Sequence, residues 1–74
     1  MPHVNIKYFP VTLTATEEAR LIAALTDAVG SAFKVDESVI SISLEPVEAE
    51  AWNEQVYIPE ILDRANLLRK QPNY

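Results

Sequence analysis

Cysteine is absent from these 74 residues, and glycine occurs once, as Gly30. Without cysteine there is neither a disulfide framework nor a thiolate metal site to stabilise so short a chain. A lone glycine near a helix end leaves no glycine-rich loop to cradle a phosphate. The single histidine, His3, excludes the common zinc patterns, which draw on several histidine or cysteine ligands. With no nucleophile elbow it also excludes a serine triad. Basic residues are few, six against eleven acidic ones for a net charge of −5. Scattered as they are, they form no patch for a phosphate backbone, so nucleic acid is not an expected partner. No apolar run approaches the roughly 18–20 residues that cross a bilayer. The amino terminus has no charged leader followed by an apolar stretch, and the expected address is the cytoplasm, away from membranes. No motif for an organic cofactor or a metal is present.

What is there is apolar. At 49% hydrophobic residues the chain is too rich in core-forming side chains to be disordered. Its length allows one domain, residues 1–74, and a chain this short buries only about 60% of the surface it exposes when unfolded. The surplus apolar surface calls for a partner subunit.

Residues 2–9 alternate, with Val4, Ile6 and Tyr8 on one side and His3, Asn5 and Lys7 on the other, which reads as a half-buried strand. Pro2 is tolerable at its start, where no ladder donor is required. After Pro10, Thr14-Ala-Thr-Glu17 is a capping box. It opens a helix to about Phe33 whose apolar stripe is Leu21, Ile22, Leu25, Ala28, Val29, Ala32 and Phe33. Val39 to Glu45 is a second strand, with Ile40, Ile42 and Leu44 inward and Ser41 and Ser43 opposite. Strand, helix, strand implies a right-handed crossover, so the fold class is α/β: one β-α-β unit with parallel strands. In the tail, Glu48 to Val56 is expected to form a short helix carrying Trp52. Pro59 is expected to open another, with Ile61, Leu62, Ala65 and Leu68 buried and Pro72 closing it. Two strands and one helix leave both sheet edges open, and the unit is not expected to stand alone.

By elimination the one uncommon chemical group is proline at position 2. Removal of Met1 would expose a secondary amine, more basic than an ordinary α-amino group at about 7.7–8.0. Apolar surroundings would destabilise its cation and lower its pKa, leaving a neutral base near pH 7. A proline that only starts a strand is the competing reading, since such beginnings are common.

Pro2-His-Val-Asn-Ile-Lys-Tyr-Phe-Pro10, the helix, Ser38-Val-Ile-Ser-Ile-Ser-Leu44, then Trp52 and the closing Lys70-Gln-Pro-Asn-Tyr74 resemble the tautomerase superfamily. This is the 4-oxalocrotonate tautomerase group, and in particular its short, dimeric bacterial branch. The resemblance covers nearly the whole chain and rests on the order of motifs that are individually loose. It implies a cofactor-independent isomerase, an enol–keto tautomerase, in which Pro2 is the general base. Phe9 falls where the family places an apolar site residue, and Trp52 near the aromatic that lines the pocket. A homodimer is implied, with a hexamer as the alternative. Its joined strands would form a four-stranded sheet with helices on one face.

The departures from the pattern narrow the substrate. The group's namesake grips a dicarboxylate with two arginines, where this chain has Val11 and Thr12 after strand one and Ser41 on strand two. Neither valine nor a hydroxyl replaces a bidentate guanidinium. The expected small-molecule substrate is therefore a small or aromatic 2-keto acid or its enol. Lys7 could supply a positive charge across a subunit interface, or be an ordinary exposed lysine. Ser41 and Ser43 could bond a substrate carboxylate or merely pack. Two other functions stay open. One is a superfamily hydratase, dehalogenase or decarboxylase with protonated Pro2 as acid. The other is a non-catalytic oligomeric binding protein of the same fold.

Overall fold

A computed structural model describes residues 1–74. Strand β1 (His3–Tyr8) is followed by helix α1 (Ala15–Phe33) and strand β2 (Ser41–Pro46). The two strands pair in parallel, His3 opposite Ser41, Ile6 opposite Leu44 and Tyr8 opposite Pro46, as the β-α-β reading expects.

Helix α1 begins at the expected cap. Thr14 lies in extended conformation, the Glu17 N–H donates to its Oγ1 at 3.1 Å, and the Thr14 N–H donates to Glu17 Oε1 at 2.9 Å. Those bonds hold the Glu17 carboxyl below the usual glutamate range. The helix ends at Lys34, which adopts the left-handed region with φ 57° and donates its N–H to Gly30 O. Asp36 then caps a short 3₁₀ turn, Glu37–Val39, by accepting from Ser38 N at 2.9 Å. That turn takes up Val39, the first residue expected in the second strand, and Ile40 donates its N–H back to Glu37 O, so β2 starts at Ser41.

The inward stripe of α1 differs from the sequence expectation. Leu21, Ile22, Leu25, Thr26, Val29 and Gly30 are the half-buried positions, whereas Ala28, Ala32 and Phe33 are exposed. Gly30 lies on the inward side, where the chain turns back over it. A Cβ there would sit 3.4 Å from Val35 O and 3.7 Å from Ile40 Cδ1.

The tail departs more. A 3₁₀ turn, Ala49–Ala51, leads through Trp52 into a single π-helix, Asn53–Leu62, with Pro59 in its interior and not at the start of a separate helix. An α-helix cannot hold an interior proline without a clash with the carbonyl four residues back. The wider coil, in which Asp63 N donates to Ile58 O at 2.9 Å, avoids that geometry. The change of period alters the buried set in part: Ile61 and Leu68 are half-buried as expected and Val56 is buried, while Leu62 and Ala65 are exposed. The helix ends well before Pro72, and a further 3₁₀ turn, Ala65–Leu67, separates the two.

The sheet divides the helices. Val29 of α1 shares a groove with Val4 on one face. Glu60 of the tail helix reaches Lys7 on the other. The helices therefore lie on both faces, because only the tail can meet the His3–Asn5–Lys7 side of β1. On that side the register stacks polar pairs: His3 Nδ1 and Ser41 Oγ are 2.6 Å apart, and Asn5 Nδ2 donates to Ser43 Oγ at 2.6 Å.

A single chain buries little. Only Val47 (3% exposed) and Val56 (5%) are buried. The molecule is a slab of 35 × 32 × 19 Å with a radius of gyration of 13.9 Å, against about 11 Å for a compact chain of this length. Its accessible surface is 5809 Å², where a compact monomer of 8.3 kDa would expose about 4,600 Å². The excess, roughly 1,200 Å², exceeds the ~800 Å² that each partner contributes to a standard interface. No helix is long and apolar enough to cross a membrane.

Candidate active site

The five residues singled out from the sequence fall into two groups at opposite ends of β1. The first group is Pro2 with Ser41. The parallel register brings the start of β2 beside the start of β1, and Ser41 N donates to Pro2 O at 3.2 Å. Pro2 is half-buried in a groove of about 560 Å³ whose walls are Val4, Val29, Phe33 and Val35. Met1 stands almost wholly in solvent, 99% exposed. No ionisable side chain other than His3 lines this groove, and the His3 ring is taken up by Ser41. Ser41 itself is exposed, and its hydroxyl bonds His3 in this chain.

The second group is Phe9, Trp52 and Lys7. Phe9 and Trp52 meet edge to face, with ring centroids 4.9 Å apart and planes at 90°. With Lys7, Tyr8 and Tyr74 they line a groove of about 480 Å³. Tyr57 extends the aromatic wall, 6.0 Å from Tyr74 between centroids. Phe9 is 54% exposed, with the indole as its ring partner. Lys7 is half-buried and closes an ion pair with Glu60. The Glu60 carboxylate raises the Lys7 pKa above 10.5, chiefly through the hydrogen bond between them. The same bond holds Glu60 below the usual carboxylate range. Arg64, one helical step on, reaches the other Glu60 oxygen at 3.8 Å.

The two groups do not meet within one chain. Six residue steps of extended strand separate Pro2 from Tyr8, about 20 Å at ~3.3 Å each. No group of three or more His, Asp or Glu side chains forms a metal-binding cluster.

Several lining residues were invisible to sequence reasoning. Phe33 was expected in the buried stripe, yet it is 66% exposed and walls the Pro2 groove. Val35 joins that wall because Lys34 turns the chain left-handed. A bulky aromatic as the last residue of a helix, just before a turn, was the one available signal. Tyr74 showed only as the close of the family-like tail, and Glu60 carried no signal, since it reaches Lys7 from 53 residues away.

Comparison with known proteins gives a consistent result. The family model described as Tautomerase enzyme matches residues 2–56. Proteins named Tautomerase PptA align along the whole chain and 97% of their own length: 39% identical in Klebsiella pneumoniae, 36% in Escherichia coli O127:H6 and 31% in Cronobacter sakazakii.

Proposed function

This chain belongs to the tautomerase family and is an isomerase, and we propose that it interconverts the enol and keto forms of a small or aromatic 2-keto acid. The Pro2 amine, freed by removal of Met1, is the general base. It accepts the enol hydroxyl proton as the O–H electron pair closes to C=O. The carbon–carbon π pair then takes the proton back from the prolinium onto carbon. Atoms and charge balance with the amine alone, which ends each cycle neutral.

The observation that carries this reading is the surroundings of Pro2. Val4, Val29, Phe33 and Val35 are apolar, and burial among such groups disfavours the ammonium form and lowers the pKa of an amine. A base neutral near the working pH is what proton transfer requires. The aromatic groove at Phe9 and Trp52 suits an apolar substrate body.

Because the two halves are about 20 Å apart in one chain, a working site needs two chains. An isologous dimer that pairs the free edges of two antiparallel β1 strands would bring the Pro2 end of one beside the Phe9 end of the other. Pairing through β2 would leave the halves apart. The surplus surface of the single chain supports such a homodimer. Each dimer would then carry two equivalent sites built from one tautomerase domain per chain, residues 1–74.

The test is to place an uncleavable residue before Pro2 and measure ketonisation of the phenylpyruvate enol. The amine becomes an amide while every side chain stays intact, and the rate should fall by about 10²–10⁴-fold. In the processed protein the rate should rise with pH through the amine pKa. Full activity of the extended protein would end the reading, and a rate that falls with pH would make Pro2 an acid.

A further inference from the structure

Of the six basic side chains, at Lys7, Arg20, Lys34, Arg64, Arg69 and Lys70, Lys7 alone lines any groove. It is therefore the one cation positioned to meet a substrate carboxylate in the aromatic groove. It is also occupied: Glu60 pairs it from the tail helix, and Glu45 stands opposite it in the strand register. Asn5, two residues away on the same face, donates to Ser43 and, at 3.4 Å, to Glu45 Oε1, so it offers no second free donor. Arg64 approaches the other oxygen of Glu60 at 3.8 Å, is 56% exposed and lines neither groove that Lys7 lines.

We infer that Glu60 is a specificity-determining residue: by neutralising Lys7 from within the chain, it excludes a second substrate carboxylate and directs the site to monoanionic aromatic enols. The inference rests on the proposed tautomerase reading for its substrate classes. Its physical basis is independent of it. A carboxylate tethered to the same chain competes with a free one at an effective concentration of the order of millimolar or above. A dicarboxylate would have to displace Glu60, and the displaced charge would remain nearby to repel it. A monoanion with an aromatic body needs only the ring contacts of Phe9 and Trp52.

The experiment compares the wild type with Glu60→Gln, which keeps the shape and a hydrogen-bond acceptor but removes the charge. The ratio of kcat/KM for a dicarboxylate enol to that for the phenylpyruvate enol should rise by about two- to fivefold, the range that one partly exposed ion pair carries. The gain should appear in KM, shrink as salt is raised, and vanish in the double variant Lys7→Met, Glu60→Gln. Glu60→Ala provides a second removal of the charge should the glutamine variant fold poorly. Calorimetry with succinate reads the same unmasking without turnover: its affinity should increase in Glu60→Gln and fall back in the double variant. An unchanged ratio and unchanged succinate affinity would overturn the inference while leaving the Pro2 mechanism standing. Full activity of the protein extended before Pro2, alongside tighter succinate binding by Glu60→Gln, would do the reverse.

Discussion

Phe9 and Trp52 meet edge to face with centroids 4.9 Å apart, and this pair defines one end of β1 as Pro2 defines the other. A hydrogen-bonded strand is stiff, so no local motion closes the gap of about 20 Å between them. The functional unit we propose is two chains, each lending one end of its strand to the other.

Complementation tests that unit directly. A chain blocked before Pro2 and a chain carrying Trp52→Ala should each be inactive alone. Mixed dimers then contain one site with both defects and one with neither. Refolding the two together at equal amounts should restore about a quarter of wild-type activity, since half the dimers are mixed and each has one good site of two. Sedimentation at micromolar concentration should show a dimer or larger assembly. No recovery, or a stable monomer, would mean that both halves of the site lie elsewhere in one chain.

The Lys7–Glu60 pair predicts how stability varies with pH. Glu60 has a folded pKa depressed below 4.5, so its contribution is present above about that pH and is lost as pH falls through the folded value. Lys7 is raised above 10.5, so its contribution is complete below that pH and is lost as pH rises through the folded value. Between these limits the pair should give a plateau in Tm at fixed protein concentration. Glu60→Gln should lower the plateau and flatten both limbs, and the difference should be small and salt-sensitive because both groups reach solvent. Identical Tm profiles for the two proteins would show that the pair contributes nothing.

Gly30 offers a stabilising change. Its φ lies outside the left-handed region, and an added Cβ meets Val35 O at 3.4 Å and Ile40 Cδ1 at 3.7 Å, ordinary contact distances. Alanine at an interior helix position is favoured over glycine by about 1 kcal/mol. Gly30→Ala should therefore raise stability by up to about 1 kcal/mol in urea unfolding, measured at fixed concentration. A loss of that size instead would show that the turn through Lys34 and Val35 cannot yield.

What could be read from the amino acids alone was what near neighbours decide. The alternation of Val4, Ile6 and Tyr8 needs only a period of two, and the capping box at Thr14 and Glu17 closes between residues three apart. The order of such elements led to the parallel β-α-β unit. The choice of Pro2 as the chemical group came from elimination joined to a family resemblance. The tail resisted because its period is set by how Pro59 is accommodated, and an expectation of 3.6 residues per turn misplaced Leu62 and Ala65. The tertiary structure alone decided which charges meet. Lys7 and Glu60 are 53 residues apart, and nothing local in either segment announces the other. It also separated Pro2 from Phe9 and Trp52, because the rigid length of β1 holds the two ends of one strand apart.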